Sequence, residues 1–234
     1  MSPTTSPIAI IGAMDAEIQE YLHHLEDMKE EAWNHFVFFH GLLEGKNVVL
    51  VKSGIGKVFS AMIAQHMIDT YAPSHLLFTG VAGALNTTYE IGDIVLSKDC
   101  VQHDMDVRAL GFERGRIPYT DFKVFEANNE LLSIAQGVQS EQHIHTGRIL
   151  TGDQFFTHSA LDSHTYLTQE LEGDAIEMEG AAVGQVCAIN NIPFLVVRTI
   201  SDKANEEASL NFNEFLPEVA KNSFAVVRHT LKNL

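Results

Sequence analysis

"FLVVRTISD", residues 194–202, decides the fold. It is apolar and largely β-branched on both faces, is broken by one arginine, and ends in Ser201 and Asp202. A strand apolar on both faces belongs in the middle of a sheet covered on both sides. "IAIIGA" (8–13), "NVVLVKSG" (47–54), "HLLFTGVAG" (75–83), "DIVLS" (93–97) and "GRILTGD" (147–153) share this character. Most stop at Gly, Ser, Thr or Asp, the residues that turn a chain and bare backbone N–H groups. "EGKN" (44–47) reads as a hairpin link between "FVFFHGLL" and "VVLV".

Helical spacing fills the gaps. Val58, Ala61, Met62 and Ile68 fall within one arc of a helix predicted over 57–71, ended by "YAP". Val183, Val186 and Cys187 repeat the pattern over 180–191. Leu216, Val219, Ala220, Phe224, Val227 and Leu231 make a C-terminal stripe, with Asn213 as its expected cap and Pro217 in its first turn. Strands alternating with helices mean an α/β fold: a central mixed β-sheet flanked by helices on both faces. The 234 residues suit one domain, expected over 8–234 behind a short tail at 1–7.

Composition excludes several classes. The chain is 45% hydrophobic and 20% charged, ordinary for a globular protein, and its formal charge of −16 argues against nucleic acid or an anionic membrane as partner. No apolar run reaches the roughly 18 residues of a membrane span. "MSPTTSPIAIIGAM" lacks the basic start and long apolar stretch of a signal peptide. Cys100 and Cys187 form no spaced motif and suit a reducing compartment, so a cytoplasmic location is expected. Among the histidines, "YLHHL" and "HIH" lack metal-ligand spacing, and "SGIGK" lacks the length and Ser/Thr of a phosphate-binding loop. No metal and no cofactor are expected.

Open α/β sheets bind ligands at the carboxyl ends of their strands. Glu17 lies just past "IAIIGAMDA", Glu177 and Glu179 stand in "AIEMEGAAV" (175–183), and Asp202 ends the opening stretch. Singly each has an ordinary explanation: a helix first-turn acid, a partner for Arg198, a cap. Two carboxylates at the mouth of an apolar segment still need something to satisfy them. Taken in order, "IAIIGAMDAE", "VKSGIGKV", "FTGVAGAL", "GDIVLS", "QHDMD", "TGDQF", "EMEGAAV" and "VRTISDKA" resemble the bacterial methylthioadenosine/S-adenosylhomocysteine nucleosidases of the nucleoside phosphorylase superfamily. The resemblance runs from residue 8 to the C-terminus.

It implies hydrolysis of the N-glycosidic bond of 5′-thio-substituted adenosines to adenine and the thioribose, a reaction of methionine salvage and methyl-cycle detoxification. Asp202 would be the acid that protonates adenine as it leaves, which needs a carboxyl kept protonated by an apolar, water-poor pocket. Glu17 would be the base that activates water on the opposite face of an oxocarbenium-like sugar. Glu179 would accept hydrogen bonds from the ribose hydroxyls, with Met178 on the sugar and Glu177 mainly structural. Phe155 would lie against adenine, the backbone of Phe156 would read its edge, and the backbone of Gly83 would touch the sugar region. Arg198 would orient the water, and Ser201 joins the substrate-binding set. Ile55 and Phe212 would line the apolar 5′ end. A second subunit would close that end through Leu110, Phe112 and Pro118 of "VRALGFERGRIPY", which implies a homodimer. "KANEEASLNFN" (203–213) reads as a segment able to close over bound substrate.

Superfamily relatives that use phosphate clamp it with an arginine after the first strand. No arginine precedes Arg108, and the early loop carries Asp15 and Glu17 instead, which favours water over phosphate. The sequence departs from some relatives at Val81, where a serine helps to hold the water. A phosphorylase and a non-catalytic adenosine-binding protein are the rival functions. The candidate substrates, methylthioadenosine, S-adenosylhomocysteine, 5′-deoxyadenosine and 6-amino-6-deoxyfutalosine, differ only at the 5′ substituent.

Overall fold

The structure, a computed structural model, describes residues 6–156, 163–203 and 208–234; the side chains of 208–215 and 217–220 lie outside that set. Strands β1 (Ile8–Gly12), β4 (Lys46–Lys52), β5 (His75–Ala84), β6 (Ile94–Gln102), β8 (Ile144–Thr151) and β10 (Phe194–Asp202) follow the both-faced apolar runs. β2 (Glu26–Trp33), β3 (Phe36–Leu43), β7 (Phe125–Glu126) and β9 (Ala175–Glu177) complete the sheet. Its order is β10-β6-β8-β9-β5-β1-β4-β3-β2, with β7 beside β6. β10 also pairs in parallel with β5, so β5, β10, β6, β8 and β9 close into a ring while β1, β4, β3 and β2 extend from it as an open wing. Closure removes the edges those strands would otherwise expose.

The sheet is mixed, as expected, and helices cover both faces. Successive residues of β1 point to opposite layers. Ala9 and Ile11 pack with Ile63, Ala64 and Met67 of α2 (Lys57–Tyr71) and with Val183 and Cys187 of α5 (Gly180–Asn190). Ile8 and Ile10 pack with Ile18 and Tyr21 of α1 (Asp15–His24), Leu131 of α3 (Asn129–Gln136) and Val227 and Leu231 of α6 (Ala208–Asn233). A third cluster, including Leu150, Phe156 and Ile176, lies beneath the short α4 (Tyr166–Gln169). The 44–47 link is a tight turn with Glu44 and Gly45 both at positive φ, joining antiparallel β3 and β4.

Two local expectations are corrected. In α2 the buried residues are Ser60, Ile63, Ala64 and Met67, whereas Val58 is 79% exposed and Met62 is exposed too. The helix is apolar over most of its circumference, so periodicity alone picks the wrong face. α6 begins at Ala208, which puts Asn213 and Pro217 inside it rather than at its cap and first turn. Pro217 therefore leaves the carbonyl of residue 213 without its helical donor. The closing role expected of 203–213 falls partly outside the described residues, since 204–207 are not described and 208–213 are helical backbone. No helix among the described residues is long and apolar enough to cross a membrane.

Candidate active site

A cavity of about 350 Å³ opens at the carboxyl ends of β1, β5, β9 and β10. Ala13, Met14, Glu17, Ile55, Val81, Ala82, Gly83, Phe155, Ile176, Glu177, Met178, Glu179, Ser201 and Asp202 line it. Eight residues picked from the sequence thus meet there: Glu17, Ile55, Gly83, Phe155, Met178, Glu179, Ser201 and Asp202. A smaller side pocket continues behind Phe155 to Phe156, which is buried. Phe212 sits in α6, and its side chain lies outside the described residues. Leu110 is exposed, and Phe112 and Pro118 are half-buried, away from this chain's cavity lining.

Glu17 is the third residue of α1, where a glutamate side chain reaches back to the unbonded N–H groups that open a helix. Its Oε2 accepts from the backbone N–H of Ala13 (2.7 Å) and Met14 (2.9 Å), and its Oε1 from that of Val81 (3.0 Å). The loop after β1 and the middle of β5 therefore share one carboxylate. Burial pushes the Glu17 pKa above the ordinary 4.5, while Arg198 and the three N–H donors oppose that rise. Val81 acts here through its backbone, which a change of side chain leaves in place.

Arg198 points from the middle of β10 and is 1% exposed. Its Nη2 donates to Glu177 Oε2 at 2.5 Å and lies 3.7 Å from Glu179 Oε2, and its guanidinium carbon stands 4.2 Å from the centre of the Phe78 ring. Its Nη1 and Nε find no acceptor among the described residues. Gly80 explains how Arg198 and Glu17 share this space. A Cβ on Gly80 would overlap Arg198 Nη1 and lie 2.5 Å from Glu17 Oε1.

Glu177 and Glu179 have different duties. β9 ends at Glu177 and α5 starts at Gly180, so the two residues straddle a strand-to-helix break. Glu177 accepts from Thr151 Oγ1, from the backbone N–H of Glu179 (3.0 Å) and Gly180 (2.7 Å), and from Arg198. With both oxygens occupied inside the protein, it anchors the helix start and the guanidinium. Glu179 keeps more freedom: its Oε1 accepts from Gly56 N–H at 2.8 Å, and burial plus the neighbouring Glu177 charge raise its pKa. Thr151, which links Glu177 to the N–H of Ala181 (2.7 Å), is invisible in the sequence because a strand threonine carries no distinguishing pattern.

Asp202 is 2% exposed and accepts from Ser201 Oγ at 3.0 Å. The β10–β5 register slips between Ile200 and Asp202, so Asp202 stands opposite Gly83. Such an irregularity re-aims a side chain at the end of a strand. The cavity thus carries an N-terminal carboxylate, a C-terminal one, and an apolar lining between them.

The family described as the phosphorylase superfamily matches residues 7–232. The 5′-methylthioadenosine/S-adenosylhomocysteine nucleosidase of Staphylococcus carnosus (strain TM300) is 38% identical over 229 residues, 97% of this chain and 100% of that protein. The crystal structure of the nucleosidase of that name from Neisseria meningitidis, in complex with methylthio-immucillin-A, superposes with a TM-score of 0.93 at 33% identity, covering 98% of this chain and 100% of that one. The native structure of futalosine hydrolase of Helicobacter pylori gives 0.92 at 33% identity, covering 100% of both chains. The chain belongs to the phosphorylase superfamily and, within it, to the 5′-methylthioadenosine/S-adenosylhomocysteine nucleosidases.

Proposed function

We propose that the protein hydrolyses the N-glycosidic bond of 5′-methylthioadenosine, S-adenosylhomocysteine and related 5′-substituted adenosines, with water as acceptor. The carrying observation is the charge of the cavity wall: Glu17, Glu177, Glu179 and Asp202 line it, and no lysine or arginine does among the described residues. Such a wall offers phosphate no cationic clamp, and its ionised carboxylates stabilise positive charge growing on a ribosyl ring. Arg198, close behind, is neutralised by Glu177.

Asp202 protonates adenine at its ring nitrogen as the C1′–N bond breaks. Glu17, held by three N–H donors with its pKa raised by burial, takes a proton from the water that attacks C1′ from the other face. Arg198 directs an N–H toward that water. Glu179 accepts from the ribose hydroxyls, Met178 packs on the sugar, and the backbone of Gly83 touches the sugar region. Phe155 lies against the base, the backbone of Phe156 reads its edge, and Ser201 steadies Asp202. Each acid–base group contributes roughly 10²–10⁴-fold. Ile55 meets the 5′ substituent. The likeness to a futalosine hydrolase supports including 6-amino-6-deoxyfutalosine among the substrates.

The reading extends to a homodimer in which Leu110, Phe112 and Pro118 of one subunit close the 5′ end of the other's cavity. Support comes from large apolar side chains exposed in the single chain, Ile55 at the cavity, Val58, Phe59 and Met62 of α2, and Ile189 of α5. Residues 8–234 are read as one catalytic domain. A cytoplasmic location fits the two buried, unbridged cysteines. The test is adenine release from 5′-methylthioadenosine with and without added phosphate. Equal release in both is expected. Release only with phosphate would make the enzyme a phosphorylase, and tight binding without cleavage would make it a binding protein.

A further inference from the structure

Two loops that build the cavity, those bearing Ile55 and Phe155, are tied to each other and to the loop bearing Asp104 by charges that no catalytic role requires. Helix α2 is preceded by Gly56 at its N-cap, which has no side chain to cap the first N–H groups and holds a φ of +98°. The cap comes from another loop: Asp153 Oδ1 accepts from Lys57 N–H at 2.9 Å. The Lys57 ammonium in turn grips both oxygens of Asp104, at 2.7 and 2.8 Å, and lies 4.0 Å from Asp153 Oδ2. Asp104 Oδ2 closes the circuit by accepting from Asp153 N–H at 3.1 Å. A fourth contact, from Lys57 Nζ to Gln102 Oε1 at 3.4 Å, leads through Gln102 Nε2 to Gln185 of α5 at 2.6 Å.

The circuit sits directly behind two walls of the cavity. Ile55 precedes Gly56 and Lys57, and Phe155 follows Asp153 by two residues; both line the cavity. Gly56 N–H also donates to Glu179, so the same short loop bears on the carboxylate assigned to the ribose. We propose that Asp153, Lys57 and Asp104 form a positioning clamp that fixes the wall bearing Ile55 against the wall bearing Phe155, and so sets affinity for the nucleoside. None of the three lines the cavity, so each acts through the loops it ties. The clamp rests on the nucleosidase reading above and deepens it.

Steady-state kinetics with 5′-methylthioadenosine, together with thermal melts, test the clamp. Asp153→Asn keeps an oxygen acceptor for Lys57 N–H, whereas Asp153→Ala does not. Asp153→Asn is expected to keep a KM close to that of the unaltered enzyme. Asp153→Ala, Lys57→Met and Asp104→Asn are each expected to raise KM about tenfold while kcat stays within about threefold. The double variant Lys57→Met/Asp104→Asn should raise it little beyond either single change, because both break one link. If Asp153→Ala does not fold, Lys57→Met and Asp104→Asn, which leave the Asp153 cap on the Lys57 N–H in place, still report on the clamp through KM. An unmoved KM with a lowered melting temperature would reduce the three residues to structural support and overturn the clamp. An unaltered enzyme that releases no adenine would overturn the nucleosidase reading, and the clamp with it.

Discussion

Arg198 and Glu177 form a fully buried ion pair at 2.5 Å, with side chains 1% and 2% exposed, and Glu17 and Glu179 are the neighbouring charges of its guanidinium. Removing one member of such a pair leaves a buried charge uncompensated, at a cost of about 3–5 kcal/mol. Glu17 and Glu179 are close enough to Arg198 to offset part of that cost. Glu177→Gln offers a single amide oxygen where the carboxylate accepts from Thr151, two backbone N–H groups and Arg198. Urea unfolding should show it destabilised by about 3 kcal/mol, with kcat reduced because Arg198 loses its orientation. A variant as stable and active as the parent would show that the pair holds neither the helix start nor the guanidinium.

Gly80 is the point where Glu17 Oε1 and Arg198 Nη1 approach the backbone too closely for a side chain. Gly80→Ala must displace one or the other. An overpacked core change costs about 1–3 kcal/mol, and a shifted base or guanidinium should lower kcat/KM by about 10²-fold, since small misplacements at reacting groups are that costly. Near-parental kinetics for this variant would contradict the placement of Glu17 and Arg198 around the attacking water.

His103 is 1% exposed, with Nδ1 on Tyr166 Oη at 3.2 Å and its ring edge-to-face with Phe156. Burial pushes its pKa down to about 4; Lys57 and His164 add to this, and Asp104 and Glu177 oppose it. The folded protein therefore holds this ring neutral at pH values where the unfolded chain, near 6.5, takes up a proton. Its contribution to stability is complete above pH 6.5 and declines as pH falls toward about 4. By pH 5 the loss should reach about 2 kcal/mol. Urea midpoints at pH 7.5 and 5 should therefore converge more in His103→Gln than in the parent. Equal pH slopes in the two proteins would mean that His103 is not held neutral.

The sequence disclosed the central strands because burial on both faces leaves an unbroken apolar run, as in β5 and β10. It did not disclose β2. "EDMKEEAW" has no apolar face, and it is a strand because β3 offers it a partner, with charges guarding the sheet edge. Ring closure through β5 and β10 was equally hidden, since pairing between distant strands leaves no local pattern. Glu17, Glu179 and Asp202 were found by their place in motifs, not by periodicity. Glu177 stayed ambiguous because strand spacing and helix spacing meet at the break between β9 and α5. The network of Thr151, Gly80 and the Ala13, Met14 and Val81 N–H groups was beyond reach for a simpler reason: backbone donors and small residues look alike wherever they stand.

The division of labour between Glu17 and Asp202 is tested most directly by single-turnover release of adenine from 5′-methylthioadenosine, without phosphate, by the parent, Glu17→Gln and Asp202→Asn. Each variant should still bind the nucleoside and should release adenine about 10²–10⁴-fold more slowly. Release at the parent rate by either variant would contradict the assignment of that carboxylate to the reaction.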